Sequence, residues 1–167
     1  MSQFGPGPDL ALLLLGSYRK LINATVLELA ARGFDDVRPV HDFAMRAIVS
    51  GADTASELGR RMSISKQAAA KTIETLLERG YVTRYADPID RRRKRVEVTP
   101  LGFEVMRQGE AILNDLRAEW ERQLGRKELA LLEAQLTSLV GDSPVRIEAP
   151  GWVATADSHM KGAAATG

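Results

Sequence analysis

A chain of 167 residues with 44% hydrophobic side chains can bury the core of one domain, and 5% aromatic content points to aliphatic helix packing. The absence of cysteine excludes disulfides, thiolate metal sites and thiol redox sensing. The net charge of +1 hides an uneven distribution: residues 60–95 hold eleven basic and four acidic side chains, net +7, and the remainder carries −6, so a polyanionic partner is expected for that one segment. No apolar run is expected to reach the length of a membrane span. The start of the chain lacks a basic flank and cleavage site, although Leu10 to Leu15 is apolar. A cytoplasmic protein with no membrane partner is therefore expected.

Residues 1–8, which include Pro6 and Pro8, read as a flexible arm. From Asp9, a candidate cap, a long helical pattern runs to about Arg32, with Leu14, Tyr18, Leu21, Ile22, Thr25, Val26 and Leu29 on one broad face, and Gly33 ends it. A second helix is predicted from about Val40 to Val49, with Phe43, Ala44, Ala47 and Ile48 inward and Pro39 near its start. A turn with capping residues at 51–54 leads into a short helix, 55–62, with Ala55, Leu58 and Met62 inward.

The next helix has a clear start and stop. Ser65 can accept from a free N–H of the first turn, and Gly80 can take the left-handed conformation that ends a helix. Ile64 before the cap can act as a hydrophobic staple. Ala69, Ile73, Leu76 and Leu77 form one apolar stripe, and Gln67, Lys71, Glu74 and Glu78 lie on the far side. The basic and amide groups lie toward the N-terminus and the glutamates toward the C-terminus. A polyanion could approach the first half only, which is how a recognition helix enters a DNA groove. Two helices joined by the tight turn at 62–65 make a helix-turn-helix.

Residues 81–86 read as a strand, 87–90 as a turn and 96–98 as the returning strand. Arg91, Arg92, Arg93, Lys94 and Arg95 fall at and just beyond the tip of this hairpin, which makes it a cationic wing. Thr99 caps a further helix with Pro100 at its first position; it runs to about Leu124 with Leu101, Val105, Ile112, Leu116 and Trp120 along one side, and Gly125 breaks it. A last helix, about 126–140, carries Leu129, Leu132, Leu136, Leu139 and Val140, and 141–167 reads as a tail.

This order of elements, with the stretches Ser56–Ala68, Leu76–Val82, Asp87–Lys94 and Val96–Gly102, resembles the multiple antibiotic resistance regulator (MarR) family of winged helix-turn-helix proteins over roughly residues 9–140. The wing motif is the more specific part, and Val98 stands where the family pattern has Leu. The resemblance implies a mainly α fold with a small β-hairpin wing, in which N- and C-terminal helices form a dimerisation base. With it the chain divides into 9–38 dimerisation helix, 39–100 winged helix-turn-helix and 101–140 C-terminal dimerisation helices, flanked by the 1–8 arm and by the 141–167 tail, which is not part of the shared pattern. The resemblance further implies a homodimer on a pseudo-palindromic DNA operator, acting as a repressor and released by a small lipophilic or phenolic effector. Arg92 would enter the minor groove, oriented by Asp90.

Ser65, Lys66, Gln67 and Lys71 are the candidates for the major groove: Gln can pair with adenine edges, and Lys with guanine or phosphate. A narrow minor groove attracts Arg92. Arg91, Arg93, Lys94 and Arg95 are candidate phosphate neighbours or strand-surface charges rather than base readers. An effector pocket is expected between the base and the winged lobe, with Tyr18, His41, Met45, Arg46 and Trp120 as candidates. Leu10, Leu13, Leu14, Leu129, Leu132 and Leu136 fit either a dimer base or intrachain core, and periodicity does not separate the two. An alternative function is a winged-helix module that binds protein without specific DNA binding. No phosphate loop, metal-spaced histidines or nucleophile–base pair occurs, so no enzyme, metal or cofactor is expected.

Overall fold

Helix α1, Pro6–Ala31, begins three residues before Asp9. The computed structural model describes residues 5–87, 89–90 and 94–141. The expected arm is therefore already helical from Pro6, and Gly5 rather than Asp9 is the N-cap. Proline suits this position, because its fixed φ is helical and its missing N–H falls where no intrahelical partner exists. Residues 1–4 of the arm, and the tail from 142 onward, lie outside the described residues.

The remaining elements are α2 (Pro39–Val49), α3 (Ala55–Met62), α4 (Lys66–Glu78), β1 (Val82–Ala86), β2 (Lys94–Val98), α5 (Pro100–Leu124) and α6 (Arg126–Val140). The strands pair antiparallel, with Val82 opposite Val98 and Ala86 opposite Lys94. The fold is mainly helical with one two-stranded hairpin, as expected. The returning strand starts at Lys94 rather than Val96, so Lys94 and Arg95 belong to the ladder and not to the tip.

The core sits where α2, α3, α4, the base of the hairpin and the first half of α5 meet. Met45, Leu58, Leu76 and Val105 are completely enclosed there; burial of each such side chain contributes about 1.5–3 kcal/mol. Two placements on apolar faces need correction: Phe43, expected inward, and Leu101, expected on one side of α5 with Val105 and Ile112. Phe43 is 40% exposed and Met45 is buried in its place. Leu101 is 47% exposed, and its neighbour Gly102 is buried instead. A Cβ on Gly102 would lie 2.2 Å from the Tyr81 carbonyl oxygen, so only a residue without a side chain lets α5 start against that peptide.

α1 contributes only Thr25 and Leu29 to the buried set. Leu10, Leu13 and Leu27 are 59%, 68% and 72% exposed, and Leu139 of α6 is 81% exposed. Of the six leucines that could have been core or dimer surface, only Leu129 is buried within the chain. α1 is also long and apolar enough to cross a membrane by length and composition alone. The expectation that no apolar run reaches that length is corrected accordingly. α6 is fastened to α5 by a two-pronged ion pair, Arg117 Nε to Glu133 Oε1 at 2.6 Å and Nη2 to Oε2 at 2.8 Å.

Candidate nucleic-acid interface

Local capping sets the geometry of the helix-turn-helix. Thr54 Oγ1 accepts from the Glu57 N–H at 3.3 Å and starts α3. Ser63 takes a left-handed conformation, φ 59°, which turns the chain sharply out of α3. Ser65 Oγ then accepts from the Ala68 N–H at 3.0 Å and starts α4. Ile64 is partly buried against the core. At the other end of α4 the Gly80 N–H donates to Leu77 O at 3.0 Å and the Tyr81 N–H to Leu76 O at 2.9 Å. Gly80 sits at φ 70°. This paired arrangement satisfies the last carbonyls of the helix and aims the chain into β1.

With Ala69, Ile73 and Leu76 buried, the opposite face of α4 is fixed outward. Ser65, Lys66, Gln67 and Lys71 are all exposed near its N-terminus, and Glu74 and Glu78 are exposed farther along. The helix therefore presents donors and positive charge at one end and negative charge at the other.

The hairpin stands beside this helix. Thr99 Oγ1 donates to Gly80 O at 2.6 Å and accepts from the Gly102 N–H at 3.1 Å, joining the end of α4 to the start of α5 at the hairpin's base. Lys94 and Asp90 are exposed. Arg91, Arg92 and Arg93 lie outside the described residues.

Asp87, which the sequence suggested only as a turn residue, is buried. Its Oδ1 accepts from the N–H groups of Ile89 at 2.8 Å and Asp90 at 3.3 Å, and its Oδ2 accepts from Arg95 Nε at 2.8 Å. The Ile89 N–H first, and the Arg95 guanidinium second, hold the Asp87 carboxyl down at about 2. Arg95 Nη1 also donates to Asp53 Oδ2 at 2.7 Å. Between two carboxylates, Asp53 foremost, its proton is held more tightly than usual. Sequence reasoning missed this group, because Asp53 is 42 residues from Arg95 and no local pattern links them.

The five effector candidates are not brought together. An apolar pocket of about 70 Å³ lies between α1, α2 and α5, walled by Ile22, Val26, Leu29, Phe43 and Leu113, with Arg46 among its lining residues. Arg46 also pairs with Asp42 at 2.7 Å. Met45 is fully buried on the other side of α2. His41 is buried and its Nδ1 accepts from the Arg38 N–H at 3.2 Å, a structural role at the start of α2. Trp120 lines a separate groove with Leu12, Leu13 and Leu132, and Tyr18 is exposed on α1. Of the five, only Arg46 lines this pocket, next to Asp42 and Phe43.

A sequence model of the MarR family matches residues 44–93, the segment from α2 to the wing. Among solved structures, the chain is similar to the reduced form of MarR from E. coli, at 23% identity and a TM-score of 0.66, covering 84% of this chain and 100% of that one. It is similar to a mutant of E. coli MarR complexed with operator DNA, at 23% identity and a TM-score of 0.65, with the same coverage. A third is FabT of Streptococcus pneumoniae in complex with DNA, at 17% identity and a TM-score of 0.66, covering 79% of this chain and 93% of that one. These likenesses establish the fold.

Proposed function

We propose that this chain, whose winged helix-turn-helix belongs to the MarR family, is a DNA-binding transcriptional regulator that acts as a homodimer. One observation carries the reading: the outward face of α4 offers Ser65, Lys66, Gln67 and Lys71 at its N-terminal end, beside a hairpin whose connecting residues are cationic. Two of the similar structures are described as complexes with DNA, which supports the same use of the fold here. In this reading Gln67 and the lysines meet base edges and phosphates of the major groove. Arg92 enters the minor groove with Asp90 beside it, and Arg91, Arg93 and Lys94 lie along phosphates.

The exposed leucines of α1 and α6 support a two-fold base formed with a second copy. Such symmetry sets the two α4 helices about one DNA turn, roughly 34 Å, apart on a pseudo-palindrome. The protein would act as a cytoplasmic repressor. The apolar pocket beside Arg46 is the seat we assign to a small lipophilic or phenolic effector. A ligand that prefers a different spacing of the two lobes would release DNA by shifting the population, with a coupling of about 1–3 kcal/mol.

The test is a binding selection on genomic fragments with the purified chain, followed by titration of the enriched fragment at several salt concentrations. Enrichment of one inverted repeat is expected. Arg92→Ala and Lys71→Ala should each weaken binding, and a lost phosphate contact should reduce the salt slope by about one. Indifferent binding to all fragments, or full retention of affinity in both variants, would overturn the reading and favour a protein-binding module.

A further inference from the structure

The wing and the helix-turn-helix are joined by more than the chain that connects them. Arg95 points from β2 to two carboxylates, one from each side. Asp87 belongs to the hairpin's connecting loop, and its side chain is only 3% exposed. Asp53, with a side chain 15% exposed, belongs to the turn between α2 and α3, directly before the Thr54 cap of α3. The distances are 2.8 Å and 2.7 Å. The main chain repeats the link, because the Val96 N–H donates to the Asp53 carbonyl at 2.9 Å.

Charge makes this arrangement informative. One guanidinium between two carboxylates is a local charge of −1, although Arg95 and Asp87 belong to the 60–95 segment of net charge +7 and Asp53 lies seven residues before it. If the cations of this segment served only to attract a polyanion, two carboxylates on one of them would oppose the purpose. The cost is explicable if the group fixes geometry. Asp87 is held by two backbone N–H groups as well as by Arg95, so the start of the wing loop is anchored to the same side chain that reaches Asp53.

We propose that Asp53, Arg95 and Asp87 form a positioning clamp that fixes the wing's angle to the helix-turn-helix, so that hairpin and α4 meet a duplex as one rigid unit. Arg95 is thus a positioning residue and not a phosphate contact. The inference rests on the DNA-binding reading above.

The sign of one substitution separates the clamp from simple electrostatics. Asp53→Asn removes a negative charge near the interface. Electrostatics alone predicts equal or tighter DNA binding; the clamp predicts weaker binding, by about tenfold. Arg95→Lys keeps the charge but loses the planar fork that spans both carboxylates, and should weaken binding similarly with an unchanged salt slope. The experiment uses the full chain and the fragment enriched by the selection, with hydrogen exchange of the 94–98 backbone followed in the free protein. Faster exchange there in both variants, with α4 unaffected, is expected. Binding by the unaltered protein together with full-strength binding by Asp53→Asn and Arg95→Lys would overturn the clamp alone. Failure of the unaltered protein to bind any fragment would overturn the DNA reading and the clamp's role with it.

Discussion

Arg79, at the end of α4, reaches across to Asp36 in the connection between α1 and α2: Nη2 donates to Asp36 Oδ2 at 2.7 Å and Nη1 to the Asp35 carbonyl at 2.9 Å. Asp36 has φ 61°, a left-handed conformation that Asp tolerates better than most side chains. Its carboxyl is held below its usual range first by the Arg79 hydrogen bond and then by the Arg38 charge. Arg79→Ala should free the 33–38 connection and lower Tm by a few degrees. Asp36→Gly, which relieves the conformation but removes the partner, should cost less than Arg79→Ala, as thermal unfolding followed by circular dichroism would reveal.

His41 supplies a pH dependence. Burial first, and the Arg79 and Arg38 charges next, push its pKa below the ordinary 6.5. Its Nδ1 also accepts the Arg38 N–H, which a protonated ring could not do. The folded state therefore disfavours the proton that the unfolded chain accepts. The contribution is complete above pH 6.5 and is lost as pH falls below that value. Tm should drop between pH 7.5 and 5.5, and part of that drop should vanish in His41→Gln. An equal drop in both proteins would contradict the assignment.

Gly102 tests the junction of wing and α5. A Cβ there would meet the Tyr81 carbonyl oxygen at 2.2 Å and Val98 Cγ1 at 2.7 Å. The first obstacle is backbone and cannot rotate away. Gly102→Ala should destabilise the chain by about 2–3 kcal/mol in denaturant titration, although alanine favours a helix interior over glycine by up to about 1 kcal/mol.

Ser65 separates stability from binding. Ser65→Ala removes the cap that satisfies the Ala68 N–H and should cost about 1 kcal/mol. Ser65→Asp keeps a cap and suits the positive end of the helix, so stability should be preserved. It also sets a negative charge where α4 would meet DNA. Affinity should then fall more in Ser65→Asp than in Ser65→Ala, opposite to the order of their stabilities.

The apolar base gives an assembly prediction. Leu13 and Leu139 are 68% and 81% exposed in the single chain. Sedimentation velocity should find two copies for the unaltered protein. The pair Leu13→Glu with Leu139→Glu should shift it to single subunits, since burying an unpaired carboxylate is unfavourable. Two-copy assembly that persists in the variant would place the contact elsewhere.

The amino-acid order alone determined the helix starts at Ser65 and Thr99, the stop at Gly80, the outward set Gln67, Lys71, Glu74 and Glu78, and the existence of the hairpin. These features depend on contacts within about one turn of helix or between adjacent strands, where spacing and capping chemistry suffice. It misjudged Phe43 and Leu101, because an amphipathic pattern leaves the orientation of a helix free by a residue until neighbours pack against it. It had no means to pair Asp53 with Arg95 or Asp36 with Arg79, residues 42 and 43 positions apart. Those links, and the scattering of the effector candidates around α1, α2 and α5, follow from how the helices close upon one another. Only tertiary structure decides that, since the approach of distant segments is set by packing and loop closure rather than by any local preference.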